Sequence, residues 1–294
     1  MNRKLWVISI LGIICFTIVS ITFTQAPHWL QQFDLNRFAA SITQVNTSES
    51  NQQRWAEKVT RGSGQKKLVV LKLEGEITET PIDQVTIHME NFLSQIDQLI
   101  EDPDVVGTVI RVNSSGGEVA ATEEIYRHIL RLKQSGKMVT ISMGTMATSG
   151  GYYISAPADY IFALNSTDTG SLGVIQQMQS LIGFEDKLEY NIITYKSGAF
   201  KDMGNAYREM TPEEDAILQA QIDENFQEFV SVIEKGRKLN REQVLKLADG
   251  RIYTGKQAKQ LGLVDEIGSL RDAIDYTLHT LNTPDATVLS YVEQ

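Results

Sequence analysis

Ser149 stands in the run "MGTMATSGGYYIS" (143–155), directly before Gly150 and Gly151 and with no charged residue in the run. A serine becomes an effective nucleophile only when a base takes its proton, and the oxyanion formed by its attack needs N–H donors already in place. A second run, "NSSGGEVAA" (113–121), carries Gly116 and Gly117. Both runs combine glycines with the start of an expected helix, where unpaired N–H groups and the helix dipole favour negative charge. One run is therefore a candidate nucleophile loop and the other a candidate oxyanion hole. Each also has a plainer reading: Ser149 as a helix N-cap, and Gly116-Gly117 as a tight turn. Neither run is a phosphate loop, since G-x-x-x-x-G-K-[ST] and G-x-G-x-x-G are both missing.

A serine nucleophile needs a base. The four histidines, His28, His88, His128 and His279, are scattered, and His88 and His128 fall in periodic helical stretches away from strand ends. Lysine is the alternative, because burial disfavours the ammonium form and leaves a neutral amine that can accept a proton. The run "YKSGAFKDMG" (195–204) offers Lys196 and Lys201. Their plainer reading is two solvated surface lysines. Cys15 is the single cysteine, which excludes an internal disulfide and a cysteine-based zinc site. No metal or other cofactor is expected.

The elements that must position these residues alternate. Strands are predicted at 67–77, 105–113, 137–144, 159–165 and 191–197, and helices at 85–102, 118–136 and 211–239. Met89, Phe92, Ile96 and Leu99 form one apolar stripe in the first helix, and Thr211-Pro212-Glu213-Glu214 is a capping box with proline at the first helical position. Strands alternating with helices predict an α/β domain with a parallel sheet. In such sheets ligands bind at the carboxyl ends of strands, where both glycine runs fall.

Composition limits the function class. With 42% hydrophobic and 22% charged residues the chain is an ordinary folded protein, and its net charge of −10 argues against a nucleic-acid surface. Residues 5–24, "LWVISILGIICFTIVSITFT", carry no charge and are long enough to cross a bilayer as a helix. Arg3 and Lys4 precede them, so the expected topology places residues 1–4 in the cytoplasm, a transmembrane anchor at 5–24 and the rest outside. The alternatives are weaker: "TFTQA" is a poor cleavage site, and Ile13 and Ile14 are too bulky for a lipoprotein site at Cys15. Residues 25–65 read as a juxtamembrane linker, partly helical around 51–60, and the folded domain is expected at 66–294.

Taken together, "NSSGG", "GTMATSGGYYISAPADYIFA", "TGSLGVI" and "YKSGAFKD" resemble the signal peptide peptidase A family of membrane-anchored serine peptidases, in its short single-copy form. The resemblance covers roughly 66–275, including "ADGRIYTGKQAKQLGLVDEIG" (248–268). It implies a crotonase/Clp-protease-like domain of repeated ββα/βαβ units. It also implies Ser149 as nucleophile, Lys201 as general base with Lys196 as the alternative, and backbone N–H groups of Gly116 and Gly117 as the oxyanion hole. Gly170, Ser171, Leu172, Gly173 and Val174 would line the substrate groove. Ser115 departs from the family pattern, which has proline there. A ring of like subunits that share active sites is implied as well. The expected function is a Ser–Lys endopeptidase cutting remnant signal peptides and other apolar peptides at the outer face of the cell membrane. The alternatives are a non-catalytic membrane-tethered binding ring and a crotonase-type acyl-CoA enzyme.

Overall fold

Runs of β-branched and apolar residues with little alternation suit strands covered on both faces, and the three longest such runs form the middle of the sheet. The computed structural model describes residues 55–79, 86–183 and 192–292, with backbone alone for 86–88. The amino-terminal half comprises β1 (Ala56–Arg61), β2 (Lys67–Glu74), β3 (Glu76–Thr78), β4 (Thr86–His88), α1 (Met89–Glu101), β5 (Val105–Ser114) and α2 (Val119–Gln134). Next come β6 (Met138–Thr148), α3 (Gly150–Ser155), β7 (Tyr160–Ala163) and β8 (Asp168–Gly170). The remainder holds α4 (Pro212–Arg237), α5 (Arg241–Leu247), β9 (Ile252–Thr254), α6 (Gly255–Gln260), β10 (Glu266–Ile267), α7 (Leu270–Thr280) and β11 (Thr287–Val292).

The main sheet runs β1-β11-β2-β5-β6-β7-β10. Every pair from β11 to β10 is parallel, and β1 closes the edge antiparallel to β11. One face carries the larger core, where Leu71, Ile110, Val112 and Ile141 meet Ile96 and Leu99 of α1 and Ile125 and Ile129 of α2. On the other face Leu68, Val109 and Phe162 pack under Ala273 and Leu278 of α7. Each fully buried Leu or Ile contributes about 1.5–3 kcal/mol, so covering both faces supplies most of the driving force that holds the strand ends in register.

Three expectations are corrected. Residues 56–61 are strand rather than linker or helix. The reason is tertiary: β1 is mostly exposed, but it satisfies the edge of β11, and buried Trp55 anchors its start. The Trp55 indole Nε1–H donates to Ser94 Oγ at 2.8 Å and its backbone N–H donates to Gln98 Oε1 at 2.9 Å. The strand expected at 137–144 continues to Thr148. Gly144 does not end it, because the Asn113 side chain fills the space there. A Cβ on Gly144 would lie 2.8 Å from Asn113 Oδ1, and that oxygen accepts from Met146 N–H at 3.1 Å. Residues 192–197 form no strand; residue 191 lies outside the described residues. Ile193 and Tyr195 are 75% and 93% exposed, so the apolar run finds no sheet edge to pair with.

The expected span at 5–24 lies outside the described residues, and among the described residues no helix is long and apolar enough to cross a membrane. Trp55→Ala is expected to lower unfolding stability by about 3–5 kcal/mol in a denaturant titration, through the cavity left under β1 and α1.

Candidate active site

Parallel strands deliver their following residues to one end of the sheet, and here β5 and β6 deliver the two glycine runs side by side. After Ser114 the chain turns through Gly116, at φ 99°, and meets the end of β3. Ile77 N–H donates to Gly116 O, and Glu118 N–H donates to Ile77 O, each at 2.8 Å. The approach leaves no room for side chains: a Cβ on Gly117 would sit 2.0 Å from Ile77 O, and one on Gly116 would sit 2.6 Å from Gly150 N and 2.9 Å from Ser149 Cβ. The pair is therefore more than a tight turn, because Gly117 packs on the Ile77 backbone while Gly116 lies directly against Ser149.

Ser149 leaves β6 with φ 52° and ψ −119°, a conformation that non-glycine residues rarely adopt. Its side chain makes no cap hydrogen bond to α3, so the plain N-cap reading fails. Holding a serine there costs on the order of 1–3 kcal/mol, which the surroundings must offset. Ser149 N–H donates to Gly170 O at 2.9 Å, and Ser149 O accepts from Tyr152 and Tyr153 N–H at 2.9 Å each. Below it, fully buried Tyr152 donates its phenolic O–H to Leu263 O at 2.9 Å, and burial pushes that phenol well above its ordinary pKa. Gly150 and Gly151 let α3 lie on the β5 loop, since a Cβ on Gly151 would come 2.8 Å from Ser114 O and one on Gly150 3.1 Å from Gly116 Cα.

The amides divide unevenly. Gly116 N–H donates to the buried Ser114 Oγ at 3.1 Å and is already engaged. The Gly150 amide opens α3, where the first N–H groups of a helix have no intrahelical acceptor. Sequence reading passed over Gly150 as a donor, although its place immediately after the serine at a helix start was a usable signal.

Two clefts meet at Ser149 and share Gly173, Val174 and Ile175. The first is apolar and aromatic, with Val119, Thr122, Tyr153 and Phe229 around it. Tyr153 makes edge-to-face contacts with Tyr126 and Phe229, at centroid distances of 5.2 and 5.1 Å, which stiffen that wall. Thr122 Oγ1 is buried there without a hydrogen-bond partner. The second cleft is lined by Leu172, Ile222, Phe226 and Ala248, with Asp223 and Asp249 beside them. Of the expected groove residues, Gly173 and Val174 line both clefts and Ser171 and Leu172 line the second. Gly170 instead serves Ser149 through its carbonyl. Its φ is 84°, and a Cβ there would meet the Tyr253 ring at 2.5 Å.

Among the described residues, neither lysine nor histidine lines the two clefts. Lys201 is exposed, in a succession of turns marked by Lys201 N–H to Gly198 O at 3.2 Å and Met203 N–H to Phe200 O at 3.1 Å. Lys196 Nζ donates to Asp202 Oδ1 at 2.6 Å and to Ala199 O at 3.0 Å. His128 is buried on α2 with Nδ1 2.9 Å from Glu124 O. Ser149→Gly removes both the hydroxyl and the strained φ. It is expected to raise unfolding stability by about 1 kcal/mol while leaving a protein that a serine-directed reagent no longer labels at this position.

Residues 131–282 match the profile of Peptidase family S49. The chain is 34% identical over 296 residues to "Putative signal peptide peptidase SppA" of Enterococcus faecium, covering 99% of this chain and 85% of that protein. It is 33% identical over 225 residues to "Protease 4" of Haemophilus influenzae, covering 76% of this chain and 36% of the relative. Among solved structures, a ClpP1 N165D mutant from Listeria monocytogenes superposes with a TM-score of 0.47 at 20% identity, covering 70% of this chain and 94% of that one. With a family match across half its length and a relative aligned along nearly all of it, the chain belongs to Peptidase family S49, the signal peptide peptidase A family, and is a serine peptidase.

Proposed function

We propose that this peptidase is a membrane-anchored endopeptidase in which Ser149 is the nucleophile and Lys201 the general base, acting on remnant signal peptides and other apolar peptides at the outer face of the cell membrane. The observation that carries the reading is Ser149 itself: strained at φ 52°, uninvolved in capping and opening onto two clefts. The Lys201 amine takes the Ser149 proton as Oγ attacks the scissile carbonyl carbon. The C–O bond forms, and the carbonyl π electrons move onto the oxygen. The Gly117 and Gly150 N–H groups receive that oxyanion in preference to Gly116, whose N–H already serves Ser114 Oγ. The lysine ammonium then protonates the departing amine, and water, deprotonated by the same lysine, hydrolyses the ester.

The substrate would lie extended along 173–175, with alternate side chains in the two clefts. Val119, Tyr153 and Phe229 in the first cleft and Leu172, Ile222 and Phe226 in the second suit the hydrophobic stretches of signal peptides. Lys201 would come from a neighbouring copy in a homo-oligomeric ring. Two observations support this: among the described residues neither cleft is lined by a lysine or histidine, and Ile193, Tyr195 and Phe200 leave an exposed apolar surface around Lys196 and Lys201 that a neighbour would cover. Residues 5–24 would hold the ring at the membrane.

Ser149→Ala and Lys201→Ala should each lower kcat by at least about 10³-fold on an apolar peptide substrate without changing the assembled size. Co-assembling the two inactive variants should restore part of the activity, because some sites then pair an intact serine with an intact lysine. Activity that survives Lys201→Ala but is lost in both Lys196→Ala and Lys196→Arg would move the base to Lys196. Failure of a fluorophosphonate to label Ser149 in assembled protein would overturn the serine assignment.

A further inference from the structure

The segment that carries Lys201 has no regular secondary structure, yet a general base must be held to a fraction of an ångström. Its order comes from a chain of ionic hydrogen bonds. Lys196 Nζ reaches Asp202 Oδ1 at 2.6 Å, and Arg208 clasps the same carboxylate through Nη2 to Oδ1 at 3.0 Å and Nε to Oδ2 at 3.1 Å. A further bond from Arg208 Nη2 reaches Asp202 O at 3.1 Å. The other side of the same guanidinium clasps Glu214, with Nη2 to Oε1 at 2.5 Å and Nη1 to Oε2 at 2.8 Å. Glu214 is 2% exposed and is fixed in its turn by the capping box at the start of α4, where Thr211 N–H donates to Oε2 at 2.9 Å and Glu214 N–H to Thr211 Oγ1 at 3.2 Å.

Resting on the assignment of Lys201 as base, we propose that Arg208 and Asp202 are positioning residues that tie the Lys201 turn to buried Glu214 at the start of α4, and that Lys196 is their ammonium latch rather than a proton acceptor. Asp202 is the residue next to Lys201, so its carboxylate holds the peptide unit from which the lysine projects. A planar fork satisfied on both sides by carboxylates fixes that unit in direction as well as distance, which a lysine in place of Arg208 would not do. Hydrogen bonds from Arg208 hold the Asp202 carboxyl well below the ordinary carboxylate range. Arg208, with help from the Thr211 amide, holds Glu214 down to about 2. A depressed carboxylate contributes stability above its unfolded pKa and loses it only as pH falls through the folded value, so the clamp stays ionised at every pH where a peptidase with a lysine base would turn over. Lys196 spends its charge inside this network, on Asp202 Oδ1 and Ala199 O, while the Lys201 side chain extends from the anchored turn.

The test compares Arg208→Ala, Asp202→Asn, Lys196→Ala, Lys196→Arg and Lys201→Ala in the assembled full chain. It measures kcat and KM on one apolar peptide, the rate of fluorophosphonate labelling at Ser149, and assembled mass. Arg208→Ala and Asp202→Asn should each lower kcat and the labelling rate together by about 10–100-fold with KM and mass unchanged, since neither residue lines a cleft. Lys196→Arg should keep most of the activity that Lys196→Ala loses, because a latch needs only the positive charge. Asp202→Asn leaves the Arg208–Glu214 pair in place and decides the matter if Arg208→Ala fails to fold. Wild-type kcat in Asp202→Asn, with Lys201→Ala inactive, would overturn this proposal and leave the base assignment standing. Full activity in Lys201→Ala would overturn the base assignment itself.

Discussion

The arrangement depends on one steric constraint: the backbone of Gly116 lies against Ser149 and Gly150 more closely than any side chain permits. A Cβ at Gly116 would stand 2.6 Å from Gly150 N, and one at Gly150 would stand 3.1 Å from Gly116 Cα and 2.7 Å from Thr122 Oγ1. With glycine at both positions, the ends of two adjacent parallel strands close on each other beside the serine. Everything else follows from the need to keep that approach intact. The two-faced core sets β5 against β6, the Asn113 side chain carries β6 on past Gly144, and Gly170 and Tyr152 hold Ser149 in its strained turn.

Rigidity is distributed unevenly between the two halves of the proposed machinery. Around Ser149 it comes from burial: Tyr152, Ile154 and Leu172 are fully buried, and the Tyr126–Tyr153–Phe229 contacts stiffen the cleft wall. Around Lys201 there is little apolar burial, and order comes instead from Arg208 between Asp202 and Glu214. This division suits the proposed contact of this segment with a neighbouring copy. An apolar anchor inside the segment would compete with the exposed Ile193, Tyr195 and Phe200 for the same contacts, whereas an ionic clamp leaves them outward.

Residue types alone single out the candidate groups. A serine before two glycines, a second glycine pair after a strand, and a lysine-bearing loop are unusual for reasons of local chemistry, so they were visible in order along the chain. The helices were legible for a similar reason. The stripe from Met89 to Leu99 and the capping box Thr211–Glu214 are local patterns, and α1 and α4 form within a few residues of where those patterns place them. The errors fell where a partner distant in sequence decides the outcome. Glu57 and Lys58 do not read as strand until β11, more than 200 residues later, offers its edge. Gly144 reads as a strand end until Asn113 fills its empty side. "NIITYKS" reads as a strand until no edge is found for it.

By itself the sequence determined which groups are present for chemistry and which conformations they tolerate: only glycine at 116 and 150 permits the close approach, and only an uncharged run permits Ser149 to sit over a buried helix. The tertiary structure alone decided which partner each group meets. It showed that Ser149 does not cap α3, that the Gly116 amide is already engaged by Ser114, and that Lys196 is spent on Asp202 while, among the described residues, no lysine lines either cleft. The physical reason is that hydrogen-bond capacity is a property of a residue, whereas the partner that uses it is set by the packing of segments far apart in the chain.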